Sequence, residues 1–186
     1  MTNPTLTDIV GSVTAHSAPD KMTTAIIAID GCGGAGKTTL ADRLATRLDA
    51  QVIHTDDFAS WDNPLNWHDR LIQQVLQPLR ANTAARYQRF DWSTNRLAEW
   101  HSVPVQPFVI LEGVSSARIA FRQFLSCAIF VDTPPDICLQ RGLARDGADA
   151  APLWRDWQAA EAAYLTSDAP QDFANLKIDG TQSIPK

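Results

Sequence analysis

The chain lacks the features that would tie it to a disulfide framework, a structural zinc site or a membrane. Its three cysteines, Cys32, Cys127 and Cys138, form no C-x-x-C pair and have no histidine at metal-ligand spacing. The first twenty residues contain no lysine or arginine, and no apolar run reaches the ~18 residues that span a bilayer. We therefore expect a protein of the reducing cytoplasm with no membrane partner.

Positive charge is also scarce. Lysine and arginine number 16 against 21 aspartate and glutamate residues, which leaves a formal charge of −5. Such a balance disfavours a broad surface that neutralises phosphates, so we expect no nucleic-acid partner. Of the 186 residues, 45% are hydrophobic and 20% are charged. This composition suits one folded domain with a sizeable core.

Short apolar runs alternate with segments of helical periodicity. The runs lack polar alternation, which is typical of strands covered on both faces of a parallel sheet. They span residues 25–29, 51–53, 108–111, 128–131 and 176–178. Between them lie two leucine-rich stripes, at 40–48 and 71–79, and a third helical pattern that Pro134 and Pro135 can open. The alternation predicts an α/β layer fold.

The N-terminal segment differs in composition from the rest. Residues 1–22 are rich in threonine, serine and alanine and contain one apolar patch at helical spacing. We predict a short helix and a linker there, followed by one domain over residues 23–186.

A glycine-rich motif directly follows the first run. Residues 31–38 read GCGGAGKT, which fits G-x-x-x-x-G-K-[ST] at every fixed position, and a leucine-striped helix follows. Backbone N–H groups of such a loop converge on a phosphate, Lys37 reaches the β- and γ-phosphates, and the Thr38 hydroxyl can bind Mg²⁺. The predicted nucleotide-binding residues are Gly31, Gly33, Gly34, Ala35, Gly36, Lys37, Thr38 and Thr39.

Acidic side chains follow the second and third runs. Asp56 and Asp57 come after the second run, and Glu112 ends the third. Because the carboxyl ends of parallel strands face the ligand crevice, these groups should lie near the γ-phosphate. One of the two aspartates can accept a proton from an attacking hydroxyl or hold a Mg²⁺ water, although either could instead cap the next turn. No Asn-Lys-x-Asp motif of GTPases is present.

These motifs together resemble the uridine kinase family of P-loop kinases. The resemblance covers most of residues 24–180 in order and rests on GCGGAGKTT, TDDF at 55–58, RFDW at 89–92, VILEGV at 109–114 and VDTPPDICLQRGLARD at 131–146. It implies a three-layer P-loop NTPase fold: a five-stranded parallel sheet of order 2-3-1-4-5 between helices, with a short lid. It also implies transfer of the ATP γ-phosphate to a hydroxyl of a small-molecule acceptor, first of all a nucleoside such as uridine, with ATP and Mg²⁺ as cofactors.

The same resemblance assigns roles to individual residues. Asp56 takes the place of the catalytic aspartate, and Lys37, Arg141 and Arg145 act with it on the transferred phosphate. Thr38, Asp56 and Glu112 are the implied Mg²⁺ partners. The residues assigned to the acceptor are Asp57, Phe58, Phe90, Trp92, Arg96 and Arg155.

The sequence departs from the family at two places. Ser93-Thr94-Asn95-Arg96 follows the aromatic-Asp-aromatic segment, where the family usually has a histidine that contacts the base, and residues 147–152 lack the extra lid arginines. Phosphoryl transfer survives these changes better than base specificity does. The alternatives are a kinase of a nucleoside monophosphate, a sugar or a vitamin precursor, and a P-loop ATPase switch acting on a protein partner. The base of the donor and the oligomeric state stay open.

Aromatic residues cluster outside the predicted strands. Four of the six tryptophans lie between the second and third runs, and Trp154 and Trp157 lie in the lid helix. Aromatic faces suit a planar acceptor, and we expect one or two tryptophans, Trp92 first, to contact it. The histidines His54, His68 and His101 have no triad or metal-ligand spacing and are expected to be structural or exposed.

Overall fold

The chain folds around a five-stranded parallel sheet. The computed structural model describes residues 3–185. Within them it has the strands β1 (Ala25–Asp30), β2 (Gln51–His54), β3 (Ala85–Asp91), β4 (Arg96–Val103), β5 (Phe108–Glu112), β6 (Cys127–Asp132) and β7 (Leu176–Asp179). The main sheet has the order β2-β5-β1-β6-β7, and each neighbouring pair is parallel. The five predicted runs and their order 2-3-1-4-5 are therefore confirmed.

Helices cover both faces of this sheet. They are α1 (Leu6–Thr14), α2 (Lys37–Leu48), α3 (His68–Leu71), α4 (Gln77–Arg80), α5 (Pro135–Asp146), α6 (Ala151–Asp168) and α7 (Pro170–Phe173). A π-helical turn over Ile72–Leu76 joins α3 to α4, so the predicted second stripe forms one continuous helical segment. Helix α5 begins at Pro135, as the proline pair predicts. None of the described helices combines the length and apolar character that crossing a membrane requires.

The burial of β1 explains why the strand runs show no polar alternation. Successive side chains of a strand point to opposite faces, and here both faces are covered. Ile26 and Ala28 are fully buried in the core cluster on the side of α3 and α4. Ile27 and Ile29 are fully buried in the opposite cluster, which contains residues of α1 and α2. The carboxyl ends of the strands consequently form one edge between two packed layers.

The N-terminal helix packs onto this core. Thr5 and Asp8 form a reciprocal capping box at the start of α1. Ile9 and Val13 are buried in the cluster on the α2 side. The predicted N-terminal helix is thus present, and its apolar face contributes to the core of the domain. Residues 1, 2 and 186, at the outer ends of the two predicted segments, lie outside the described part of the chain, and the boundary between 22 and 23 stays a prediction.

The apolar runs of the sequence do not predict the β-hairpin that β3 and β4 form. The two strands pair antiparallel, with a register shift between Gln88 and Phe90. Tyr87 faces the core and is buried, whereas Trp100 on β4 is exposed. Only a short stretch of β3 alternates before the bulge interrupts it, so the sequence carries little period-two signal. The hairpin matters because it carries residues 90–92 to the edge of the main sheet.

The interior position of β5, between β2 and β1, leads to a stability prediction. Ile110 is fully buried between two neighbouring strands, so Ile110→Ala should lower the free energy of unfolding by about 2–5 kcal/mol. The matched change Ile119→Ala, at a residue that is 57% exposed, should cost no more than about 0.5 kcal/mol. Urea unfolding followed by circular dichroism measures both. Equal losses would contradict the placement of β5 in the core.

Candidate active site

A cavity of about 1250 Å³ opens at the carboxyl ends of the central strands. Its boundaries are the 31–38 loop, the turn after β2, the hairpin, and the facing ends of α5 and α6. The predicted site residues that line it are Gly33, Gly34, Gly36, Lys37, Thr38, Thr39, Asp56, Asp57, Phe90, Trp92, Glu112, Arg141 and Arg145. The topology therefore brings together residues from widely separated motifs, at the edge of the sheet where α/β folds bind ligands.

The 31–38 loop owes its shape to glycines in backbone conformations that other residues rarely adopt. Gly34 has φ +82°, and a Cβ atom there would lie 2.4 Å from the carbonyl oxygen of Cys138. Gly36 has φ +100° and directly precedes α2. The helix consequently begins at Lys37, and its positive end faces the cavity. The Lys37 ammonium donates to the Cys32 carbonyl at 2.8 Å and stays beside the loop.

Oxygen atoms that suit Mg²⁺ lie next to this helix start. The Thr38 hydroxyl donates to Glu112 Oε1 at 3.3 Å, and His54 Nδ1 lies 2.6 Å from Glu112 Oε2. Burial alone would raise the pKa of Glu112, but the hydrogen bonds and the charge of Lys37 bring it below its ordinary value. The hydrogen bond to Glu112 raises the pKa of His54. Glu112 is thus held as a carboxylate.

This set of ligands fits a metal shared with a nucleotide. In residues 3–185, no group of three or more histidine, cysteine, aspartate or glutamate side chains could hold a metal ion by itself. Mg²⁺ at phosphoryl-transfer sites is usually held by one or two carboxylates together with phosphates and water. Thr38 and Glu112, with Asp56 in the same cavity, offer such a partial set of hard oxygen donors.

The two neighbouring aspartates have different surroundings. Asp56 is exposed into the cavity, and no described residue donates a hydrogen bond to its carboxylate. The protein walls nevertheless limit its hydration and raise its pKa, while Lys37 opposes and Glu112 adds to this rise. Asp57 is half-buried and accepts a hydrogen bond from the Tyr87 hydroxyl at 2.7 Å. The Asp57 carboxylate is thus occupied by a hydrogen bond within the protein. The Asp56 carboxylate faces the cavity and has no hydrogen-bond donor among residues 3–185.

Four tryptophans form one side of the cavity, which we call the aromatic wall: Trp61, Trp92, Trp154 and Trp157. Trp61 packs edge-on against Trp92 and Trp157, with ring centroids 5.4 and 5.6 Å apart. The Trp92 indole N–H donates to the backbone carbonyl of Asp56 at 2.9 Å. The wall therefore joins the loop after β2, the hairpin and α6, and it lies directly beside Asp56.

Two arginines of α5 reach the cavity from the side of the lid. Arg141 donates to the carbonyl oxygens of Gly34 at 3.2 Å and Gly180 at 3.0 Å. Arg145 forms a two-pronged ion pair with Asp146, at 2.7 and 3.0 Å. Both arginines line the cavity.

Comparison with known proteins shows the family of the chain. Residues 26–164 match the protein family described as an AAA domain, to which the chain belongs. The uridine kinase of Serratia proteamaculans is 30% identical over 145 residues, which cover 65% of this chain and 68% of that protein. The uridine kinase of Psychromonas ingrahamii is 26% identical over 153 residues, or 70% and 72% of the two chains. The chain is a uridine kinase-like P-loop kinase.

Two solved structures share the fold of this kinase. A protein from Bacillus stearothermophilus described as "a Possible Uridine Kinase" superposes with a TM-score of 0.70 at 22% identity, over 94% of this chain and 97% of that chain. A "putative fructose transport system kinase" from Silicibacter sp. TM1040 gives 0.69 at 19% identity, over 93% and 98%. At these identities the likeness establishes the fold alone.

Some residues that the sequence assigns to the acceptor lie elsewhere in the kinase. Phe58 is 4% exposed and stacks on Tyr87 in the core, because it follows the turn after β2 and points inward. Arg96 is exposed at the start of β4, and Arg155 is exposed on α6 beside the buried Trp154. None of the three lines the cavity. The structure gives no support to acceptor contacts by Phe58, Arg96 or Arg155.

Two residues of the nucleotide motif also lie off the cavity. Gly31 and Ala35 are absent from its lining, and Ala35 is fully buried in the core cluster on the α2 side. Both residues are buried and contribute to the shape of the loop on the side away from the cavity.

The kinase also has site residues that sequence reasoning missed. His54 lines the cavity and contacts Glu112, although its isolated position in the sequence predicts a structural or exposed role. Asp30 is buried directly behind the loop and accepts a hydrogen bond from Gly31 N–H at 2.7 Å. Its place at the end of β1, before a glycine, repeats the pattern of Glu112 and Gly113 and could have revealed it.

The position of Lys37 predicts how nucleotide binding depends on it. Saturating MgATP should raise the melting temperature of the kinase by about 5–10 °C, because a ligand of the native state stabilises it by mass action. Lys37→Ala should abolish this shift and remain folded, since the ammonium contacts the loop and not the core. The matched control is Lys21→Ala, at an exposed lysine outside the cavity. Differential scanning fluorimetry measures the shifts, and an undiminished shift in Lys37→Ala would contradict the assignment of the loop.

Proposed function

We propose that this kinase transfers the γ-phosphate of ATP to a hydroxyl group of a small molecule, with a nucleoside such as uridine as the first acceptor to test. The observation that carries the proposal is the single cavity that contains the 31–38 loop, Asp56 and the aromatic wall. One end offers backbone amides and Lys37 for phosphates, and the other offers the partly exposed indoles of Trp61 and Trp92 for a planar acceptor. The relatives named uridine kinase support a nucleoside in that position.

The phosphate end of the cavity supplies positive charge where the reaction needs it. Lys37 and the amino end of α2 face the region assigned to the β- and γ-phosphates, and the guanidinium groups of Arg141 and Arg145 approach from α5. Negative charge spreads over the transferred phosphoryl oxygens in the transition state, so these groups lower its energy. Thr38 and Glu112, with Asp56, would hold Mg²⁺, which neutralises phosphate charge when bound.

Asp56 is proposed as the base that accepts the proton of the acceptor hydroxyl. Its carboxylate is unengaged and faces the cavity, whereas that of Asp57 is occupied by Tyr87. The walls that raise the pKa of Asp56 also make it a better proton acceptor, since a base is most effective when its pKa approaches the working pH. The bond from Trp92 to the Asp56 carbonyl keeps this residue beside the aromatic wall.

The charge of the acceptor follows from the pairing of the arginines. Three arginines line the cavity: Arg89, Arg141 and Arg145. Arg89 is engaged by Glu99 at 2.6 Å, Arg145 is engaged by Asp146 at 2.7 Å, and Arg141 is held by loop carbonyls. Arg141 and Arg145 are proposed to act on the donor phosphates, so a phosphorylated acceptor would have to displace Glu99 from Arg89 to gain an arginine, which is unfavourable. The arrangement favours an uncharged hydroxyl compound over a nucleoside monophosphate.

An acceptor screen tests the proposed activity. Consumption of MgATP should rise above the background rate with an uncharged acceptor, uridine before other nucleosides and before sugars or vitamin precursors, and should not rise with uridine monophosphate. Coupled formation of ADP measures the rate, and mass spectrometry of the product shows an added phosphate on the acceptor. Slow hydrolysis that no hydroxyl compound accelerates would instead favour an ATPase switch acting on a protein partner.

The two aspartates predict a matched pair of variants. Asp56→Asn keeps the size of the side chain but removes the base, so the rate of phosphoryl transfer should fall by about 10²–10⁴ with MgATP affinity nearly unchanged. Asp57→Asn keeps an oxygen that can accept the Tyr87 hydrogen bond and should cost less than about tenfold. Single-turnover transfer with the best acceptor of the screen compares them. An inactive Asp57→Asn beside an active Asp56→Asn would assign the base to Asp57.

A further inference from the structure

Helix α6 presents an unusual buried face toward the 31–38 loop. Trp154, Trp157, Glu161 and Tyr164 recur at intervals of three, four and three residues, so they share one side of the helix. Each is at most 7% exposed. Glu161, at 3% exposed, is a carboxyl group placed among aromatic rings, a position that is unfavourable unless hydrogen bonds compensate the loss of water.

Those hydrogen bonds come from the loop and from the same helix. Glu161 Oε1 accepts from the backbone N–H of Gly33 at 2.6 Å and from the indole N–H of Trp157 at 2.8 Å. The bond from Trp157, four residues earlier on α6, orients the carboxyl group. Gly33 is the third residue of the G-x-x-x-x-G-K-[ST] motif, so a residue 128 positions away holds the backbone of the phosphate loop.

The carboxyl group lies behind the loop and not in the space of the phosphates. Gly33 lines the cavity, whereas Glu161 does not. A Cβ atom on Gly33 would lie 3.0 Å from the Trp154 ring and 3.2 Å from Glu161 Oε1, so α6 packs directly against the loop backbone. Glu161 is therefore placed to support the loop without competing for a ligand.

Several charged or polar groups surround Glu161. Burial raises the pKa of Glu161 above its ordinary value, and the hydrogen bonds from Gly33 and Trp157 and the charge of Lys37 offset only part of that rise. The contact with Gly33 does not require the negative charge, because a neutral carboxyl or amide oxygen also accepts a hydrogen bond.

We propose that Glu161 is a positioning residue of the phosphate site, whose side-chain oxygen holds the Gly33 amide from behind and keeps the loop in the shape that receives nucleotide phosphates. This inference rests on the proposed binding of nucleotide at the loop. Because α6 also carries Trp154 and Trp157, the same contact fixes the aromatic wall relative to the phosphates. The loop and the wall then form one preorganised site.

Two conservative variants distinguish the effect of the reach of the Glu161 side chain from the effect of its charge. Glu161→Gln keeps the reach of the side chain and an acceptor oxygen but loses the charge, whereas Glu161→Asp keeps the charge and shortens the reach by one methylene. We expect the MgADP dissociation constant, measured by titration calorimetry, to rise about tenfold in Glu161→Asp and by less than about threefold in Glu161→Gln. A role confined to folding would lower the melting temperature and leave both dissociation constants unchanged.

Two further variants serve as controls. Asp156→Asn changes an exposed acid on the same helix, and Leu79→Val destabilises the core away from the cavity. An affinity in Glu161→Asp equal to that of these controls overturns the proposal, and so does a loss in Glu161→Gln at least as large as that in Glu161→Asp, because the proposal requires the reach of the side chain and not its charge. Wild-type protein that binds no MgADP at millimolar concentration would overturn the proposed function as well.

Discussion

The buried carboxyl group of Asp30 connects the segments that form the site. Its two oxygens accept hydrogen bonds from the N–H groups of Gly31, Ser115 and Ala117 and from the hydroxyl of Tyr164, at 2.6 to 3.2 Å. A carboxyl group that is 1% exposed would be costly without such partners. With them, the start of the phosphate loop, the segment after β5 and helix α6 are held at one point. Burial raises the pKa of Asp30, and the hydrogen bonds partly offset that rise.

The site separates acids that support from acids that face the cavity. Asp30 and Glu161 are buried behind the loop, where backbone N–H groups and aromatic N–H or O–H groups satisfy them. Asp56 and Glu112 line the cavity, where Lys37 and Thr38 lie beside them. The supporting acids can be engaged by hydrogen-bond donors, because they do not have to take up a proton or bind a metal ion. An acid that takes a proton or binds a metal must keep an oxygen accessible, which is the situation of Asp56.

The aromatic wall depends on elements that have no local connection. Trp61 follows β2, Trp92 lies in the turn of the hairpin, and Trp154 and Trp157 belong to α6. Their rings meet edge-on, the arrangement that aromatic quadrupoles favour. Since the hairpin and α6 reach the wall from different sides, a displacement of either one would reshape the acceptor end of the cavity. A displacement of α6 would also reach the phosphate end, because Glu161 of that helix accepts the hydrogen bond from Gly33.

Local patterns in the sequence determined the parallel sheet, the phosphate loop and the acids that follow the strands. Continuous apolar runs need cover on both faces, and a glycine loop before a helix admits few shapes, so both can be recognised over a few residues. The order of the strands and the place of Asp56 came from the resemblance to a family, which carries such long-range information.

Only the tertiary structure decided which side chains meet behind the loop and around the cavity. The bulge in β3 interrupts the period-two pattern, so the sequence does not indicate the hairpin. The inward direction of Phe58 follows from a single turn after β2. His54 acquires its role by lying beside Glu112 on the neighbouring strand, and Glu161 acquires its role by facing Gly33 from another helix. Spacing along the chain encodes neither contact. Both arise when separately folded elements pack against each other, and burial then selects the partners that satisfy each polar group.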